Sequence, residues 1–509
     1  MHRPALLTHV FYPADRLGSG HTATRSHLHD LWTAITSAGL TEPLGGHPTR
    51  LDSTAAPPVT DTLRVLAAAC QTDPGQVYTA LAYQWHDAVA VTLMQAPNSA
   101  ALHWRALATR WEALLPPPGE AVLLGTAAVH MGLLTTASPA DPAAVAPLIS
   151  AEVPDPFDSG WWHSGARTRQ GYLLWDLPAP TGGTASTHRR LAVLAPSSQE
   201  AELDAWVWSS PVPGLVPFTR YLLHAAKARY ERQVLLSGLP ALRSLRTETD
   251  GVCGSLFGKT SDWPHAAPGP SLDALTSARQ DLRRLRIASG GLTTSLSSVR
   301  ALAQTLEAAK ANMEVAVGGD FLTPDDGPLG HDLRTAGVTL AQARAEEVYL
   351  SAAHARAGDV IAHAEAETAS RLSDHQTRLA LWQTSFLGAL LMLLAAIQSF
   401  SYKVPLPGPL IAPSICLLSS LALALPVVTW HWSLSTAPAR RARATLVASG
   451  AVGASLGWLL FSLTAHLVQR PSAPTWTVVS AAAGAVLLMT ADVLRSRHIA
   501  CTRSRLASS

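Results

Sequence analysis

Between residues 379 and 494 the chain carries only six charged side chains, Lys403, Arg440, Arg441, Arg443, Arg470 and Asp492. An average soluble domain holds about one charged residue in four, so this block points to lipid rather than water as its surroundings. Four apolar windows follow one another in it, at about 380–399, 409–430, 444–468 and 475–494. Each is long enough to cross a hydrocarbon core of about 30 Å as a helix rising about 1.5 Å per residue. Pro405, Pro407 and Pro409 punctuate the first connection, Pro438 the second, and Pro471 and Pro474 the third, as turns between membrane helices require. The sequence therefore predicts a four-helix transmembrane bundle at 379–497, in contact with the lipid bilayer of a cell membrane.

Short loops rich in Lys and Arg stay on the cytoplasmic side. Arg371, Arg378, Arg440, Arg441, Arg443, Arg495, Arg497, Arg503 and Arg505 collect on one side, against Lys403 and Arg470 on the other. This bias places both termini in the cytoplasm, including a basic tail at 498–509. His431, His466 and Asp492 sit near window ends, whereas a transporter or pump ordinarily keeps an ionisable group at mid-depth. Gly450, Gly453 and Gly457 in the third window, and Ser480 and Gly484 in the fourth, have the small-xxx-small spacing that lets helices approach closely. Packing inside the bundle is the expected use, with a homo-oligomer face as the alternative.

Upstream, residues 219–378 read as a helical, coiled-coil-like stalk. From Ser271 to Val317 apolar residues fall at 275, 278, 282, 285, 292, 296, 299, 303, 306 and 313, a heptad register interrupted only at Ser289 and Lys310. A Gly/Pro-rich break follows at 318–328, and a second, proline-free helix is expected from about Asp332 into the first membrane window. The arms have matching lengths, which predicts a long antiparallel helical hairpin. His354, His363 and His375 on the second arm are spaced too widely to share a metal on one helix face.

Residues 1–218 mix strand and helix signals, predicting a cytoplasmic α+β domain. Strands are expected at 6–12, 76–85, 88–95 and 121–134, with helices at 21–38 and 100–115, an order that fits a ferredoxin-like plan. Further strand-like runs at 171–177 and 191–195 fit a second small α+β lobe. His21, His27 and His29 with Asp30 read as solvated side chains at a helix start, a shared metal ion being the minor alternative. Asp155, Asp158, Trp161, Trp162 and His163 form a polar-aromatic cluster suited to a ligand or protein partner, or to anchoring a loop.

Three motifs imitate active sites without their context. Gly254-Ser255-Leu256-Phe257-Gly258-Lys259-Thr260 approximates a phosphate loop, but Cys253 stands where the first glycine belongs and no apolar strand precedes it. Gly453-Ala454-Ser455-Leu456-Gly457 matches a nucleophile elbow, and Gly450 to Gly457 a dinucleotide fingerprint, yet both lie inside a membrane window. The four cysteines, Cys70, Cys253, Cys416 and Cys501, suggest neither a zinc site nor a disulfide framework. A net charge of +2 implies no nucleic-acid partner. No catalytic, cofactor or metal residues are assigned, and a non-enzymatic role is expected.

Two stretches carry a family resemblance: Leu6-Leu7-Thr8-His9-Val10-Phe11-Tyr12-Pro13, and Thr219-Arg220-Tyr221-Leu222-Leu223-His224-Ala225-Ala226-Lys227-Ala228-Arg229-Tyr230-Glu231. They resemble the CATRA proteins, the caspase and TPR-repeat associated components of bacterial conflict systems. As a helix, the second stretch puts Tyr221, Leu222, Ala225 and Ala228 on one face, a packing pattern. The resemblance implies a non-catalytic sensor or adaptor whose partners are a caspase-like protease and a TPR protein, acting in antiphage defence or cell death. Two alternatives stay open: an ion channel or transporter loosely similar to CorA-type proteins, and an enzyme in the N-terminal domain. The first lacks the Gly-Met-Asn loop of that type, having Ser401-Tyr402-Lys403-Val404-Pro405 after its first window.

Overall fold

The apolar run near the N-terminus forms strand β1 (His2–Pro13), in which Leu6, Leu7, Val10, Phe11 and Tyr12 are all completely buried. Successive strand side chains point to opposite faces, so a strand apolar at consecutive positions must be covered on both. Leu6, Val10 and Tyr12 enter one core and Leu7 and Phe11 the other. The computed structural model describes residues 2–18, 20–52, 60–73, 76–97, 103–117, 119, 121–135, 141–153, 160–178, 188–209, 214–257, 271–318, 327–402, 406–433, 438–469 and 473–506. It divides into two units, Met1–Ala362 and His363–Ser509.

In the first unit the elements in chain order are β1, α1 (Thr22–Ser37), β2 (Glu42–Pro43), β3 (Thr60–Asp73), β4 (Gln76–His86), β5 (Ala88–Ala96), α2 (Trp104–Leu114), β6 (Gly125–Leu134), α3 (Pro142–Glu152), β7 (Ala166–Arg167), β8 (Leu173–Asp176), β9 (His188–Pro196) and α4 (Glu200–Val207). Helices α5 (Pro217–Phe257), α6 (Leu272–Ile287) and α7 (Leu292–Val317) follow, and α8 (Gly327–Tyr402) begins. The nine strands among the described residues join one mixed sheet in the order β2-β3-β4-β5-β1-β6-β9-β8-β7. Among the described residues only β6 and β9 pair in parallel. Residues 171–195 thus extend the first sheet through β8 and β9, which corrects the expectation of a second lobe. Hydrogen bonding explains the outcome: β6 would otherwise be an edge strand with an open row of backbone groups.

Helices α1 and α2 cover one face through Leu28, Leu31, Ile35, Leu107 and Trp111. The other face packs against α4, α5 and the helical residues that follow. There α7 and α8 run antiparallel, since Arg300 pairs with Glu347 and Glu307 with Arg344. Helix α5 lies alongside α8, with Arg246 bridging to Glu346 and Arg356 reaching Asp250. The expected two-helix hairpin is therefore corrected to a bundle with a third helix, α5. Besides Val299, Ala303, Leu306 and Met313, α7 also buries Leu302, Ala309 and Ala316, a wider stripe than one two-helix seam uses. The first arm is divided as well, into α6 and α7. Two successive glycines inside a helix would cost about 1 kcal/mol each, and Gly290 instead adopts φ +95° in the connection.

The second unit contains the end of α8 with α9 (Gly408–Ser433), α10 (Pro438–Leu467) and α11 (Pro474–Leu506). Among the described residues three helices are long and apolar enough to span a membrane: α8, α10 over Leu446–Leu467 and α11 over Pro474–Leu494. In α9 the described apolar stretch is shorter, Gly408–Ala424. Large apolar side chains point outward, including Phe386, Leu467, Trp476, Val478 and Leu487. Gly450, Gly453 and Gly457 face α11: a Cβ at Gly453 would run into the Gly484 carbonyl, one at Gly457 into the Ser480 carbonyl, and one at Gly450 into the Met489 side chain. Gly453→Val is accordingly expected to lower the melting temperature of the detergent-solubilised chain by several degrees, through forced separation of α10 and α11. Gly388→Ala, where an added Cβ meets nothing within 4 Å, serves as the neutral control.

Candidate functional site

Four elements of the first unit converge on one buried carboxylate. Asp332, near the start of α8, is 8% exposed. Arg189, the second residue of β9, donates through Nη1 to Asp332 Oδ1 at 2.6 Å and through Nη2 to the Pro328 carbonyl at 3.2 Å. From α5, the Tyr221 hydroxyl donates to Asp332 Oδ2 at 2.8 Å. Two turns further along α5, Arg229 Nη1 stands 3.5 Å from Oδ1. Asp176, the last residue of β8, lies 3.1 Å from Arg189 Nε and pairs with it electrostatically. The site thus holds two guanidiniums, two carboxylates and one phenol.

Burial by itself would raise the Asp332 pKa, but the Arg189 and Arg229 guanidiniums and the Tyr221 hydroxyl outweigh it and hold the carboxyl below its ordinary value. Burial acts equally against the Arg189 charge, and there Asp332 and Asp176 prevail and raise its pKa. Tyr221 is pushed well up, first by burial and then by the neighbouring Asp332. Near neutrality Asp332 is ionised, Arg189 is protonated and Tyr221 keeps its proton. Such groups are arranged to hold two elements together, because separating either partner would strand a charge out of water.

Lys227 of α5 adds an ion pair with Asp87 at the β4–β5 turn. Tyr221, Lys227 and Arg229 all belong to the second family-like stretch, so that stretch joins sheet to bundle by polar contacts as well as by its apolar face. Arg189 and Asp332 carry no sequence signal: they lie 143 positions apart, and neither sits in a chemical motif.

The candidate residues named from the sequence lie elsewhere, and the cluster around Trp161 is only partly described. Trp161 is buried with Trp104, Trp175 and Ile149, and Trp162 packs at the margin of that core. The Trp162 ring lies 5.6 Å from that of His163, which is exposed. Asp155 and Asp158 lie outside the described residues. His27 has both ring nitrogens engaged, Nδ1 with the Tyr12 hydroxyl at 2.9 Å and Nε2 with the Pro116 carbonyl at 3.2 Å. Its neighbour His29 is exposed, and His21 contacts Arg16 at 2.9 Å. His354 stands 3.4 Å from Arg286 and Thr293. Gly254 to Phe257 form the last turn of α5, and Gly453 to Gly457 lie within α10. Gly258, Lys259 and Thr260 lie outside the described residues, and the helical Gly453 to Gly457 lacks the strand-to-helix turn of a nucleophile elbow.

A mixed-sheet module joined to a helical bundle, with a run of apolar helices after it in the chain, defines a modular α+β protein. Residues 5–211 match the family model described as the CASPASE and TPR Repeat-Associated N-terminal domain, and residues 216–357 match its C-terminal counterpart. The chain belongs to the CATRA family. No curated protein and no solved structure matches it. The boundary between the matched segments falls immediately before α5, so Arg189 and Asp176 come from one domain and Tyr221, Arg229 and Asp332 from the other.

Proposed function

We propose that the chain is a non-enzymatic, membrane-anchored component of a bacterial conflict system, acting as a sensor or adaptor for a caspase-like protease and TPR-repeat partners. The observation that carries this reading is the paired family match over 5–357 followed by apolar helices. The association with caspase and TPR proteins follows from the domains themselves. The apolar end of α8 together with α9, α10 and α11 would cross the bilayer as four spans. Outward-facing Phe386, Trp476 and Leu487 suit lipid contact, and the loop arginines favour cytoplasmic termini. The order β4-β5-β1-β6, antiparallel throughout, with α1 and α2 on one face, supports a ferredoxin-like core inside the larger sheet. Exposed His163 and half-buried Trp162 make the loop they share a suitable partner surface.

Affinity purification of the tagged chain from native membranes tests the reading. A caspase-like protease or a TPR protein is expected to co-purify, and to be lost on substitution of Trp162 and His163 by alanine. Recovery of the chain in the soluble fraction after alkaline carbonate extraction would remove the membrane anchor, and repeated recovery with neither partner would remove the adaptor role.

A further inference from the structure

The start of β1 is irregular. Arg3 holds φ +49°, a left-handed backbone that a non-glycine residue rarely adopts, and the β1–β6 register shifts between His2 and Ala5. Beside this irregularity, where the sheet meets α4, lies a cavity of about 300 Å³. That volume falls at the small end of the range for small-molecule sites, about 300–1,000 Å³. Met94, Met131 and Leu203 supply apolar wall, and Arg3, Glu200, Asp204 and Trp208 also line the space. Two of those walls are methionine, a side chain that adjusts readily to an occupant's shape.

The charges are unequal. Arg3 pairs with Glu200, whereas among the described residues Asp204 has no cation within 4 Å. The Asp204 carboxylate is half-buried; burial and then the Glu200 charge raise its pKa, against a hydrogen bond from the Trp208 side chain and the more distant Arg3 charge. Two carboxylates against one guanidinium leave the ionised cavity with one negative charge in excess. A positive group entering beside Asp204 relieves that excess. An anion would have to displace Glu200 from Arg3 and then face Asp204.

We propose that this cavity binds a small organic cation, an amine carried on an aliphatic or aromatic body, with Asp204 as its counter-ion. The site is independent of the partner proteins and stands whether or not they co-purify. Its test is calorimetric titration of the full chain in lipid nanodiscs with phenethylamine, 2-phenylethanol and 3-phenylpropionate, each corrected against empty nanodiscs. Phenethylamine is expected to saturate one site per chain at least tenfold more tightly than the alcohol, with no binding of the acid. Asp204→Asn should erase the preference for the amine, and Met131→Trp, which fills the cavity, should abolish binding. Leu203→Trp provides a second filling variant, used if Met131→Trp loses the wild-type melting temperature. Equal affinity for amine and alcohol, an unchanged preference in Asp204→Asn, binding retained in a folded filling variant, or no saturation by any amine from butylamine to tryptamine would overturn the proposal.

Discussion

Asp332→Ala is expected to destabilise the Met1–Ala362 unit by about 3–5 kcal/mol, the usual loss when one partner of a buried ion pair is removed. The cause is what remains: Arg189 and Arg229 would face one another across a dry cavity, with only Asp176 to answer them. Pulse proteolysis across a urea series measures the change. Arg189→Met combined with Asp332→Leu should lose less than the sum of the two single substitutions, because it removes opposite charges together and replaces them with apolar volume. Additive losses would show that the two residues do not act as one clamp. Since the clamp joins the two CATRA domains, Asp332→Ala should also make the connection leading into α5 more sensitive to protease before global unfolding.

The second large effect is acid lability set by histidine. His9 and His130 lie fully inside the sheet cores, and burial lowers each pKa from 6.5 to about 3. Folded, they stay neutral; unfolded, they take up protons near pH 6.5. Their contribution is therefore complete above about pH 6.5 and falls as pH drops toward 3, by about 1.4 kcal/mol per pH unit for each residue. At pH 5 the pair should cost the fold about 4 kcal/mol. Asp332 acts in the same direction at lower pH, since its depressed pKa confers stability that is lost only below the ordinary carboxylate range, about 3.9. His9→Gln and His130→Gln should each flatten the stability profile between pH 7.5 and 5 by one proton's slope. A double variant with the wild-type slope would assign the acid response to other groups.

Much of the sheet is legible in residue pattern. The runs that form β1 and β4 are rich in β-branched and aromatic residues, and those that form β5 and β6 are continuous, largely apolar stretches. Strand β3 gives no such signal because its centre is Ala67-Ala68-Ala69, and alanine has little strand preference of its own. It is held as a strand by pairing with β4 from Arg64 to Asp73. The heptad register marks Leu275, Leu282, Leu292 and Leu306 as buried, as they are, but a one-dimensional period does not say how many helices share a stripe. Of the third helix, α5, only the first turns stand out in the sequence. Within the clamp, Tyr221 and Arg229 are visible as members of a family-like stretch, and the helical pattern gives Tyr221 a packing role alone. Its hydroxyl donates to a residue 111 positions away, a relation that no local window contains.

By itself the sequence determined where apolar and charged segments lie, which strands and helices recur along the chain, and which family it resembles. Those properties depend on residue type and near neighbours, because solvent preference and backbone propensity act locally. Tertiary structure alone decided that the nine described strands share one sheet, that three glycines of α10 press against α11, and that Arg189, Asp332 and Tyr221 meet in a dry junction. Each of those outcomes pairs groups far apart in the chain. Bringing Arg189 to Asp332 is favourable only after the surrounding sheet and helices have excluded water, so the interaction belongs to the folded whole and to no segment of it.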